Sequence, residues 1–235
     1  MKWETLFHEF GHGLHGLLTK CNYLGVSGTN VVRDFVELPS QINEHWATEP
    51  EVLKMYARHY QTGEVIPGQP HRKDTEQKTF NQGFMTTELL AAAILDMNLH
   101  NLTDTKGIDV VAYEKEAMDQ LGLIPEIAPR YRTTYFNHII GGYAAGYYSY
   151  LWANVLDNDA FEAFKEHGSF STRQPPTFSA AMCWQKGDSE DPMTLYKNFR
   201  GSEPQLEPML KKSRYEVRIV QKKAIFAALY TIEIN

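Results

Sequence analysis

Phe7-His8-Glu9-Phe10-Gly11-His12-Gly13-Leu14-His15 is the stretch from which the rest of this chain can be read. From Trp3 to Lys20 around it, Leu6, Phe7, Phe10, Leu14, Leu17 and Leu18 recur at helical intervals, with charge or histidine between them, which predicts a first helix. Gly11, Gly13 and Gly16 interrupt that helix, and each costs roughly 0.5 to 1 kcal/mol against alanine in a helix interior. Close approach to another backbone, or to a metal, is the expected compensation. At 3.6 residues per turn, His8 and His12 project from one face a single turn apart. Two imidazoles so placed can grip one zinc ion, while Glu9 is rotated away from direct coordination and can take a proton from a water. The competing reading is two helical histidines and an acid on a partly exposed face.

Outward from this helix, Asn22 to Val32 is a Gly-rich connection, after which Asp34 is expected to cap a second helix running through Ile42 and Trp46, with Pro39 kinking it near its start. Further helices are predicted at about Glu51–Tyr60, Asp74–Leu99, Val110–Leu121, Tyr143–Glu166, Pro176–Gln185 and Pro192–Phe199, with Gly63, Gly122, Gly168, Gly187 and Gly201 punctuating most of their ends. Strand-like alternation is scarce, and there is no internal repeat, low-complexity tract or linker long enough to divide two domains. The expectation is one mainly α unit.

Composition narrows the function classes. The 235 residues are 43% hydrophobic, 12% aromatic and 22% charged, enough apolar material for one good core. Mean hydropathy is −0.43, and no apolar run approaches the ~20 residues of a membrane-spanning helix, so a soluble chain with no membrane partner is expected. Lys and Arg number 23 against 29 Asp and Glu, a net charge of −6, which leaves little general attraction for nucleic acid. Cys21 and Cys183 are too few for a disulfide scaffold and read as free thiols. Met1 to Thr5 carries no secretory signal, and cytoplasm is the default expectation.

A zinc site needs a third ligand. The pattern with a third His ten positions after the first would put His at 18 and Gly at 15, where this chain has Leu18 and His15, so that class is excluded. The remaining common solution supplies a Glu from a following helix, and Glu37 lies 29 positions after His8. Glu37 can equally be the back-bonding member of a capping box, Asp34-x-x-Glu37.

Residues 5–46, with HEFGHGLH, SGT, DFVELPSQ and E-x-W in that order and spacing, closely resemble the thimet oligopeptidase and neurolysin family of zinc metallopeptidases. A second block, NHIIGGYAAGYYSYLW from Asn137 to Trp152, followed by GDSEDPMTLYKNFRG, is similar to the family's bacterial peptidyl-dipeptidase (dipeptidyl carboxypeptidase) branch. The resemblance runs from about Thr5 to about Arg214. It implies a multi-helix zincin-type catalytic unit over 1–214, mainly α with at most a small β element, that hydrolyses short unfolded peptides.

Position by position, the resemblance implies His8, His12 and Glu37 as zinc ligands, Glu9 as general base and acid, and His138, Tyr143 and Tyr150 facing the substrate. If the segment from Tyr143 is helical, Tyr143, Tyr147 and Tyr150 share one face, and phenols with an imidazole are suitable donors for an oxygen that gains charge. Tyr147, Gly141 and Gly142 are the expected substrate-binding neighbours; core packing is the alternative for the tyrosines, and helix packing for the glycines. Asp34, Ser40 and Glu44 are candidates to accept the free N–H of a ligating imidazole. His15 reads as a packed or supporting histidine. Arg130 and Arg132 fit either a peptide carboxylate or a solvated loop.

Family members carry a long helical region before the first histidine helix, whereas seven residues precede His8. The expectations are exposed apolar surface, self-association or pairing with that missing region, and slow or absent hydrolysis. The tail 215–235 lies beyond the resemblance; Val217, Ile219, Ile232 and Ile234 alternate as short strands would. Release of C-terminal dipeptides competes with endo-acting oligopeptidase activity, with a non-catalytic zinc-binding fragment, and with a helical interaction module whose histidines are accidental.

Overall fold

The computed structural model describes residues 2–65, 80–166 and 184–213. Among these, nine α-helices carry the chain: α1 (Lys2–Leu17), α2 (Leu38–Trp46), α3 (Pro50–Tyr56), α4 (Gln82–His100), α5 (Val110–Leu121), α6 (Asn137–Ile140), α7 (Ser149–Glu166), α8 (Pro192–Arg200) and α9 (Glu207–Lys212). The one β feature among the described residues is an isolated antiparallel bridge between Arg58 and Val65, so the molecule is mainly α. No helix among them is long and apolar enough to cross a membrane.

Local chemistry explains the elements that match expectation. At α5, the Asp109 carboxylate accepts from the backbone N–H groups of Val111 and Ala112, and Gly122 closes the helix at φ +73°, a left-handed conformation open to glycine. The same devices bound α8, where Asp191 accepts from the Thr194 N–H and Gly201 sits at φ +80°.

Four expectations need correction. α2 is not capped by Asp34: it begins at Leu38 with Glu37 in the N-cap position, and the Glu37 side chain makes no capping hydrogen bond. Pro39 then falls in the first turn, where its missing N–H has no helical acceptor to lose, so it starts the helix and does not kink it. The helix expected over Glu51–Tyr60 stops at Tyr56, beyond which the chain turns toward the Arg58–Val65 bridge. The helix expected from Tyr143 starts only at Ser149, because Gly142 at φ +118° and Ala145 at φ +53° leave the right-handed region. Residues 74–79 and 176–183 of two expected helices, Cys183, and the alternating residues of 215–235 lie outside the described residues. α9 had no counterpart in the sequence reading.

Contacts gather the described residues into two compact units, one from Met1–Lys78 with Trp152–Met209 and the other from Thr79–Leu151 with Leu210–Asn235. In the first, Phe35, Leu38 and Ile42 pack with Leu156, Ala160, Phe161 and Phe164 of α7 and Tyr196 of α8; full burial of one such large apolar side chain contributes about 1.5 to 3 kcal/mol. This core anchors α2, and α2 in turn is the platform on which α1 lies. The period of α1 is helical, yet its buried face is made by Gly11 and His15, whereas Trp3, Leu6, Phe10 and Leu17 are exposed. In the second unit, Ala91, Leu95, Ala117 and Met118 join α4 to α5, and Ala92 and Ala93 of α4 pack against Phe136 and Tyr147.

Candidate metal centre

The centre forms where α1 crosses the first turn of α2, and Gly11 is what permits the crossing. A Cβ on Gly11 would stand 2.6 Å from both the Pro39 carbonyl oxygen and the Ser40 Cα, so only a residue without a side chain lets the two backbones meet. Asn43 ties the same two helices, donating from Nδ2 to the Phe7 carbonyl at 2.6 Å. Gly13 and Gly16 have nothing within 4 Å of such a Cβ, although Gly16 lies under Gly28, whose own Cβ would stand 3.2 Å from the Gly16 Cα. The close backbone approach expected for the helical glycines is therefore found at Gly11, and at Gly16 only through Gly28, whereas Gly13 has no such neighbour.

His8 and His12 sit edge to face, with ring centroids 4.9 Å apart. The Glu37 carboxylate, freed from capping, turns to them: its Oε2 lies 3.4 Å from Nε2 of His8 and 3.4 Å from Nε2 of His12. One ligand atom from each residue falls within 4.8 Å of the other two. Glu37 is only 2% exposed. Ser40 Oγ stands 3.0 Å from Oε2 and 2.9 Å from the carbonyl of Glu37, within reach of donating to either.

Of the three residues expected to hold a ligating imidazole, Glu44 is the one that does so: His8 donates from Nδ1 to its Oε1 at 2.6 Å. That bond puts the proton on Nδ1 and leaves the Nε2 lone pair directed at Glu37 and His12. The hydrogen bond to Glu44 also raises the His8 pKa against the opposing effect of burial, with the charges of Glu44, Glu37 and Glu9 adding to the rise. His12 Nδ1 is buried and has no hydrogen-bond partner among the described residues.

These features pass a test of fit for a divalent cation. Two imidazole nitrogens and one carboxylate oxygen are the donor set suited to zinc, and the 3.4 Å separations match the edge of a tetrahedron with bonds of about 2.1 Å, roughly 3.4 Å. A buried carboxylate facing two imidazole nitrogens is also compensated by positive charge, which a cation supplies. Glu9 is exposed on the next position of α1, about 100° round the helix from His8, outside the convergent set. His15 is fully buried and does not join it.

In the second unit, α6 carries His138 into the turns of residues 141–148. Tyr143 and Tyr150 are stacked, with centroids 5.1 Å apart and planes at 21°. The His138 ring lies 6.0 Å from Tyr143, 5.1 Å from Tyr147 and 5.9 Å from Tyr150. The grouping expected from one helical face is thus present, produced by the turns of 141–148 together with the helices that flank them. His138, Tyr143 and Tyr150 are half-buried, and Gly141 and Gly142 are exposed. Tyr147 is 3% exposed, inside a ring of Tyr131, Phe136 and His138, and burial pushes its hydroxyl pKa up to about 12. Arg132 pairs with the buried Glu114, and Arg130 stands 4.0 Å from Glu88, so both have partners within their own unit.

Residues 2–215 match the profile of peptidase family M3. This chain belongs to peptidase family M3. M3 peptidases are metallopeptidases. The chain is 48% identical over 209 residues to the dipeptidyl carboxypeptidase of Escherichia coli strain K12, covering 88% of this chain and 30% of that protein. It is 42% identical over 209 residues to the oligopeptidase A of the same organism, covering 88% and 31%. A more distant M3 relative, mitochondrial intermediate peptidase 1 of Cryptococcus neoformans, is 36% identical over 153 residues, covering 65% and 20%. The chain thus spans about 30% of the length of the dipeptidyl carboxypeptidases it matches.

Two supporting residues of this M3 chain escaped the sequence reading. Asn43 bonds a backbone carbonyl 36 positions away, which no local pattern announces. Asp96 is a lone acid in the apolar run LLAAAILDMNL, and that mismatch was the available signal.

Proposed function

We propose that this chain hydrolyses peptide bonds in short unfolded peptides with zinc held by His8, His12 and Glu37, releasing dipeptides from the C-terminus. The observation that carries the reading is the convergence of Glu37 Oε2 on both Nε2 atoms at 3.4 Å, one residue away from an exposed carboxylate, Glu9. When bound, zinc supplies Lewis-acid polarisation and a water acidified toward a pKa of about 7. His8 and His12 present their Nε2 lone pairs, with Glu44 holding the His8 ring in the ligating tautomer. Glu9 removes a proton from the attacking water and returns it to the departing amine. His138, Tyr143 and Tyr150 donate hydrogen bonds to the carbonyl oxygen as it gains charge, a contribution of roughly 3 to 4 kcal/mol per well-aimed donor. Gly141 and Gly142 leave backbone open for a bound peptide, and Tyr147 adds the ring against which the cluster packs.

Zinc analysis of the purified chain, with turnover of one peptide whose C-terminus is free and one whose C-terminus is blocked, tests this. One zinc per chain and dipeptides from the free peptide alone are expected; cleavage of both would move the reading to an endo-acting oligopeptidase. Glu9→Gln should keep zinc and abolish turnover, and a fully active variant would remove the assignment. Zinc without hydrolysis would move the reading to a zinc-binding chain without turnover. The exposed Trp3, Leu6, Phe10 and Leu17 on one side of α1 support self-association, to be read as a concentration-dependent mass in sedimentation. We place the activity in the cytoplasm, which fractionation of the source cells would check.

A further inference from the structure

A buried acid in the second unit is used by nothing described so far. Asp96, near the C-terminal end of α4, has no exposed surface. Its two carboxylate oxygens accept from two backbone N–H groups of the tyrosine loop: Oδ1 from Ala145 and Oδ2 from Tyr147, both at 2.9 Å. His100, one turn along α4, brings Nδ1 to 2.8 Å of the same Oδ1. A carboxylate receiving N–H groups makes charge-assisted bonds, roughly twice as strong as neutral ones. Isolating a carboxylate in the interior without such bonds is expensive, so the acid and the loop each require the other.

The loop has a shape that needs such a clamp. Ala145 sits at φ +53°, a left-handed conformation that is unfavourable for a residue with a Cβ. That twist turns the N–H groups at 145 and 147 toward α4 instead of into a helix that would otherwise begin earlier. Holding the Tyr147 backbone fixes the buried Tyr147 ring, and that ring touches both His138 (5.1 Å) and Tyr150 (5.3 Å). Tyr150 in turn stacks on Tyr143.

We propose that Asp96 is a positioning residue for the reaction: by binding the Ala145 and Tyr147 N–H groups it sets the loop geometry in which His138, Tyr143 and Tyr150 act as hydrogen-bond donors. The catalytic part of this inference rests on the reading of those three residues given above; the clamp itself does not.

The test has two arms on the full chain. Hydrogen exchange of the wild type should show the Ala145 and Tyr147 amides protected to within tenfold of the α4 interior; free exchange of both, as in an open loop, overturns the clamp without any variant. In Asp96→Asn, where one oxygen is replaced by an amide that cannot accept, exchange at these two amides should rise at least tenfold while α4 keeps its protection. Unchanged exchange overturns the proposal. In the kinetic arm, Asp96→Asn should lower turnover at saturating peptide at least tenfold with KM within threefold. Added to Tyr150→Phe, it should cost at least threefold less than it costs the wild type, because part of its effect passes through Tyr150. Full multiplication of the two losses would show that Asp96 acts independently of Tyr150 and would overturn the positioning role. Full activity of both Tyr143→Phe and Tyr150→Phe would instead sink the reading of the tyrosines, and the exchange arm would still decide whether Asp96 holds the loop.

Discussion

Replacing Gly11 with alanine perturbs the centre without touching a ligand, and the structure sets the size of the effect. The added Cβ would lie 2.6 Å from the Pro39 carbonyl oxygen and from the Ser40 Cα, both backbone atoms. To restore ordinary contact, α2 must retreat from α1 by roughly 0.8 Å. Overpacking of this kind costs about 1 to 3 kcal/mol, and alanine returns about 1 kcal/mol in helix propensity. A net loss of up to about 2 kcal/mol follows, which in a chain of this size lowers Tm by up to about 8 °C. The retreat also carries Glu37 away from His8 and His12, and metal distances tolerate only about 0.2 Å, so zinc affinity should fall at least tenfold. Gly13→Ala is the internal control: nothing stands within 4 Å of its Cβ, so it should gain about 0.5 to 1 kcal/mol and bind zinc normally. Thermal unfolding and competition with a chromophoric chelator measure both quantities. A Gly11→Ala chain with the wild-type Tm and zinc affinity would refute the close-approach reasoning, as would Gly13→Ala losing as much as Gly11→Ala.

Glu44→Ala removes the acceptor of the His8 Nδ1 proton and should weaken zinc binding by about 10- to 100-fold; an unchanged competition curve would show that the ring needs no such support. Glu37→Ala should leave the chain without stoichiometric zinc, and full metal content by elemental analysis would mean that the third ligand lies elsewhere. Tyr196→Phe takes a 2.7 Å hydrogen bond from the buried Asp159, which also accepts from Arg200 at 3.1 Å. It should cost about 1 to 3 kcal/mol in denaturant unfolding with zinc affinity unaltered. The Asp191 carboxyl is held below its ordinary value of 3.8 by the Thr194 N–H, so the stability it adds is fully present above that value and disappears as pH falls through the lowered one. Asp191→Ala should therefore melt below the wild type at neutral pH, with the gap closing in acid; a gap that persists to about pH 2 would contradict this.

Local chemistry in the sequence was sufficient wherever one turn of chain holds the whole cause. The one-turn spacing of His8 and His12 and the helix ends at Gly122 and Gly201 are written within a few residues, because a helix repeats over 3.6 residues and its ends are satisfied by their neighbours. Long ordered motifs also carried the family, since residues 5–46 and 137–152 keep family spacing whatever the fold between them.

What only the tertiary structure decided is where one carboxylate points when two local and distant partners compete for it. Glu37 had a capping role open to it in the sequence, and it abandons that role because Gly11 brings two imidazoles to 3.4 Å. Asp96 stands in a helix by its local sequence, yet its carboxylate accepts from N–H groups 49 and 51 positions away, in the segment before the helix that starts at Ser149. In both cases the deciding partner arrives from outside the helical window, and desolvation makes the resulting bond strong enough to override local preference.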